Sequence, residues 1–102
     1  MSNLIVNTLY GQVQGEKVEN VFVWKGIPYA KPPVGRLRFR RPERPEPWDN
    51  VRDATEFGPT AMQPKSEMMR FLGDSPEGSS EDCLYLNVWS PGADNKRRPV
   101  MV

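Results

Sequence analysis

The chain has 102 residues, enough for one small domain, with 37% apolar residues, eleven prolines and eight glycines, so it is rich in turn formers. Fourteen basic against thirteen acidic side chains leave no net field to draw in nucleic acid or an anionic membrane surface. No apolar run approaches a membrane span and the N-terminus lacks a secretion signal, so the default compartment is the cytosol; one cysteine and no histidine rule out an internal disulfide and zinc-type ligand sets, leaving no metal or cofactor expected.

From Leu4 to Ala30 the sequence reads as extended pieces broken by turns, LIVNTLYGQVQG, EKVEN and VFVWKGIPYA, and predicts β-hairpins. In the last piece a period of two puts Val21, Val23 and Ile27 on one face and Phe22 and Trp24 on the other, as in a strand covered on both sides, until Pro28 ends the pairing. In KPPVGRLRFRRPERPEPW, Pro32, Pro33, Pro42, Pro45 and Pro47 remove backbone donors and favour extended geometry, which predicts a coat of loop without an element. Its arginines, Arg36, Arg38, Arg40, Arg41 and Arg44, read as a solvated face with one or two tied to local acids. Glu43 and Glu46 dilute any phosphate-type patch.

Residues 53–63 predict a short turn-rich connection. Ser66 then stands as a possible N-cap before Met68, Met69, Phe71 and Leu72 at helical spacings, which predicts one or two turns of helix. This apolar cluster is either a small patch of core or the adaptable wall of a binding cleft. GDSPEGSS reads as loop. In SEDCLYLNVWSP, Leu84, Leu86 and Val88 alternate with Tyr85, Asn87 and Trp89, a strand pattern rich in β-formers. The closing RPVMV begins a further strand but stops in its apolar centre, which points to a fragment.

Three apparent chemistries fail on physical grounds. Glu81 and Asp82 are adjacent, which in a strand sends them to opposite faces and denies them one shared bond as acid and base. The acids beside Cys83 oppose formation of its thiolate, so a buried, inert thiol is expected there. Ser75 in GDSP lacks the G-x-S-x-G spacing, a preceding strand and a histidine to activate it. Without histidine, no Ser-His-Asp or Cys-His machinery can be completed within these residues.

Two stretches, VFVWKGIPYAKPPVGRLRF and SEDCLYLNVWSP, with WDNVRDATEFGP between them, resemble the N-terminal signatures of type-B carboxylesterases, the cholinesterase and para-nitrobenzyl esterase group of α/β-hydrolases. The likeness is greatest to bacterial para-nitrobenzyl esterases. The resemblance implies that residues 1–102 are the N-terminal segment of one α/β-hydrolase catalytic domain, mainly antiparallel hairpins and strands with proline-rich loops and at most a short helix. It also implies that the oxyanion-hole loop and the serine, acid and histidine follow later in the chain. The longer protein would hydrolyse small carboxylic esters through an acyl-enzyme, whereas these residues alone would be inactive and have the remainder of the same polypeptide as partner. By the same resemblance, the positions of Arg38 and Glu81 form an ion pair that anchors the proline-rich coat, and a partly buried pair would suit a bidentate geometry. The cysteine matching Cys83 is bonded, in many secreted members, to one at the position of Ala61. The loop bordering the gorge entrance makes Met68, Met69, Phe71 and Leu72 candidates for substrate access. The alternatives are a non-catalytic interaction module of the same fold and a truncation product whose bare strand edges self-associate.

Overall fold

The computed structural model describes residues 4–63, 78–94 and 96–102. β1 (Ile5–Asn7) pairs antiparallel with β2 (Gln12–Gln14). The turn between them is closed by the Thr8 N–H and Thr8 Oγ1, which donate to the Gly11 carbonyl at 2.8 and 2.7 Å. β3 (Glu16–Val18) then pairs antiparallel with β4 (Val21–Pro28). Their two-residue turn holds Glu19 at φ 57°, in the left-handed region that disfavours a side chain.

Two further strands complete two small sheets. β5 (Arg52–Asp53) adds in parallel to β2, giving the order β1-β2-β5, and β6 (Tyr85–Ser90) adds antiparallel to β4, giving β3-β4-β6. Val13, Phe22, Trp24 and Ala54 form the buried cluster that joins the sheets, with Leu4, Val6, Ile27 and Trp48 against it. Two donors at this seam find local acceptors. The Trp24 indole N–H donates to the Leu4 carbonyl at 3.1 Å, and the Lys25 N–H donates to the Ala54 carbonyl at 2.7 Å. The end of the proline-rich coat is fastened to the first hairpin by Trp48, whose backbone and indole N–H groups donate to Tyr10 O and Gln12 O, both at 2.8 Å.

Four expectations are corrected. Ile27 leaves the face of Val21 and Val23 and joins the Phe22 and Trp24 cluster, because a bulge between Trp24 and Ile27 shifts the register of β4 on β6. Gly26 makes that bulge possible. It sits at φ +71°, its N–H donates to Asn87 Oδ1 at 3.0 Å, and an added Cβ would lie 2.8 Å from the Glu56 carbonyl oxygen. The coat contains a 3₁₀ turn at Gly35–Leu37, and the connection after it begins with the parallel strand β5. RPVMV forms no strand; Val100, Met101 and Val102 are exposed coil, since a strand needs a partner and none is supplied among the described residues. The helix expected around Met68 lies outside the described residues.

After β6 the chain folds back around Asp94, whose two carboxylate oxygens accept from the Arg98 guanidinium at 2.6 and 2.9 Å. Those bonds, with a further one from the Lys96 backbone N–H at 3.0 Å, hold the Asp94 carboxyl down to about 2. The contact therefore contributes fully above the ordinary carboxylate value of 3.8 and fades as pH falls through about 2. A carboxyl-carbon NMR titration should give this low midpoint, and Arg98→Ala should move it up towards 3.8.

Candidate functional site

The 3₁₀ turn at Gly35–Leu37 delivers Arg38 and Phe39 to one surface. The chain on the far side is set by a parallel bridge between Thr60 and Ser79, in which the Thr60 N–H donates to Gly78 O and the Ser80 N–H to Thr60 O, both at 2.9 Å. Arg38 Nε and Glu81 Oε1 meet across this gap at 2.5 Å. Pro33, Arg38, Phe39, Met62, Glu81 and Cys83 line the resulting open groove of about 480 Å³.

The ion pair is more exposed than the partly buried, bidentate pair expected. Its side chains are 57% and 46% exposed and the contact runs through a single Nε, so water screens it. Phe39 lies beside it with φ 62°, 92% of its surface exposed, and the Arg38 guanidinium carbon 4.8 Å from its ring centroid. A bulky side chain in left-handed backbone is strained, and cation–π attraction to Arg38 offsets part of that cost. Nothing in the sequence pattern distinguishes Phe39 from the arginines around it.

The acids beside the groove go to separate partners. Glu81 faces Arg38, while Asp82 Oδ1 accepts from the Tyr85 hydroxyl at 2.8 Å and the Asp82 N–H donates to Ser80 Oγ at 3.1 Å. Burial, and then the bond to Asp82, push the Tyr85 hydroxyl above its ordinary value of 10.0. Cys83 is half-buried on the groove wall, so the expected buried thiol is corrected: β6 starts two residues later, at Tyr85. Among the described residues no cluster of His, Cys, Asp and Glu is placed to hold a metal. Met68, Met69, Phe71 and Leu72 lie outside the described residues. The groove brings together an ion pair, a thiol and an aromatic ring, and the sequence supplies no histidine to activate a nucleophile there.

Comparison with known proteins gives this surface its context. The carboxylesterase family matches residues 2–102. The chain is 49% identical over its whole length to the para-nitrobenzyl esterase of Bacillus subtilis (strain 168), of which it covers 21%. It is 42% identical to the phenmedipham hydrolase of Pseudarthrobacter oxydans, with 96% of this chain and 20% of that protein aligned. The crystal structure of the Geobacillus stearothermophilus carboxylesterase at pH 6.2 superposes on 94% of the chain and 18% of its own with a TM-score of 0.81 and 57% identity. The chain thus spans about a fifth of the length of the relatives it matches. The solved structures it resembles are α/β-hydrolases, and the strand-rich backbone of the described residues superposes on a part of the Geobacillus stearothermophilus one. Agreement in sequence along the whole chain and in the course of its backbone places this protein in the carboxylesterase family.

Proposed function

We propose that these residues form the N-terminal part of a serine carboxylesterase of the type-B group that hydrolyses small carboxylic esters in a reducing cytosol. The observation that carries this reading is the 49% identity over the whole chain to a para-nitrobenzyl esterase. In this reading a serine beyond the present residues attacks the ester carbonyl, the alcohol leaves with a proton, and water releases the acid from the acyl-enzyme. The role of residues 1–102 is to build the strands on which that machinery sits. They hold no histidine, so alone they perform no such acyl transfer. Arg38 and Glu81 act here as a tie between the proline-rich coat and the start of β6. Met68, Met69, Phe71 and Leu72 belong to the substrate entrance on the strength of the resemblance alone.

Two experiments test this proposal. A purified chain of 11.7 kDa, checked by intact mass, should neither turn over a chromogenic short-chain ester nor take up a serine-directed phosphonate. Turnover or a labelled serine within residues 1–102 would contradict it. For the tie, a double-mutant cycle of Arg38→Ala and Glu81→Ala read by denaturant unfolding should give a coupling below about 1 kcal/mol, as for an exposed pair. A zero coupling would remove the anchor role.

A further inference from the structure

Beside the groove lies a recess of about 600 Å³, lined by Arg38, Phe39, Arg40, Arg41 and Glu43. It shares Arg38 and Phe39 with the groove. In an extended chain neighbouring side chains point to opposite sides, which would send Arg40 and Arg41 apart. The backbone here is not extended. The Arg38 N–H donates to Gly35 O and the Arg40 N–H to Leu37 O, both at 3.2 Å, and Phe39 between them sits at φ 62°. This left-handed residue breaks the alternation and lets Arg38, Arg40 and Arg41 line one recess. Backbone strain in a bulky residue gathers at functional sites, where the surroundings hold it in place.

The acids that dilute these arginines in the sequence are directed to Lys31 in the structure. Glu46 Oε1 lies 2.9 Å and Glu43 Oε1 3.6 Å from Lys31 Nζ, and the Lys31 backbone N–H donates to the Glu43 carbonyl at 2.9 Å. One ammonium group thus holds both carboxylates, with Glu43 still on the recess wall. Arg38 is paired with Glu81, so Arg40 and Arg41 supply most of the positive charge. In a chain whose net charge is only +1, this concentration is local.

We propose that this recess binds a phosphate group, free or as a small ester, with Arg40 and Arg41 as its direct partners. A guanidinium group is planar and always charged, and it meets phosphate oxygens two at a time. A phosphate monoester brings about two negative charges and three acceptor oxygens, which suits two such groups better than a carboxylate does. The exposed ring of Phe39 offers a platform to the organic part of an ester. Because the recess is open to water, binding is modest and weakens with salt. None of this rests on ester hydrolysis.

The test is an NMR titration of the 102-residue chain in chloride buffer, with inorganic phosphate and, separately, with adenosine monophosphate. The Nε–H signals of Arg40 and Arg41 should shift and saturate at about millimolar ligand. Stronger binding of the nucleotide that Phe39→Ala removes assigns the ligand to aromatic phosphate esters, and equal binding of the two assigns it to the phosphate group alone; both uphold the site. Arg40→Ala combined with Arg41→Ala, checked for an unchanged far-ultraviolet spectrum, should weaken binding about tenfold or more. The corresponding pair of lysines, which keeps the charge without the two-pronged contact, should restore only part of it. Arg44→Ala, outside the recess, should leave binding unchanged. No saturable shift with either compound up to about 20 mM would overturn the proposal. So would phosphate binding that the double alanine variant retains.

Discussion

Trp24→Ala is expected to abolish the cooperative thermal transition of this chain. Trp24 is 4% exposed at the seam of the two sheets, tilted against Phe22 with ring centroids 6.3 Å apart, and its indole N–H satisfies the Leu4 carbonyl. Truncating a buried aromatic of this kind costs about 3–5 kcal/mol, through lost burial and the cavity that remains. The hydrogen bond goes with it, leaving the Leu4 carbonyl with only its bond from the Gly15 N–H. Small domains hold about 5–15 kcal/mol in total, and the buried cluster among the described residues is only a few residues wide. Circular dichroism melts should therefore show a gradual slope where the parent shows a transition. Leu9→Ala, at a side chain 92% exposed, should stay within about 0.5 kcal/mol of the parent.

Gly15→Ala is expected to be the most damaging addition of a single methyl group. Gly15 forms the corner between β2 and β3, where its N–H donates to the Leu4 carbonyl at 2.8 Å. A Cβ there would overlap the Val23 carbonyl oxygen and lie 2.7 Å from Trp24 Cδ1. The first obstacle is backbone in the central strand and cannot rotate away. Overfilling of a site this rigid costs about 3 kcal/mol, the upper end of what inserted carbons do, and chemical denaturation should measure it as a lower midpoint with an unchanged slope. Gly35→Ala separates the two ways a glycine can matter. Nothing stands within 4 Å of its added Cβ, but its φ is +59°, so only the conformational cost of about 1 kcal/mol applies.

The hairpins were legible in the sequence because their determinants are local: alternation of period two and a turn at each end. The same local logic misplaced Ile27. The bulge that moves it depends on Gly26 meeting Asn87 and Glu56, contacts that no window around β4 contains. β5 escaped notice because its two residues are charged and its partner, β2, lies far back in the chain. The apolar pattern of RPVMV suggested a strand correctly as composition and wrongly as structure, since pairing belongs to two segments and not one. At the groove, the pairing of Arg38 with Glu81 was readable only through family resemblance. Its exposure, the strain at Phe39 and the half-buried state of Cys83 depend on how the coat lies over the start of β6.

The bulge on β4 also bears on how the protein is made. Gly26 and Asn87, which meet there, are 61 positions apart. On a ribosome adding about 5–20 residues per second, the β4 ladder stands with one side bare for roughly 3–12 seconds before its partner has even been translated. The β1-β2 and β3-β4 hairpins can close in microseconds. Synthesis, and not diffusion of the chain, thus sets the pace at which the second sheet is completed. A nascent chain stalled anywhere between these positions would offer the uncovered side of β4 to any chaperone at the tunnel exit.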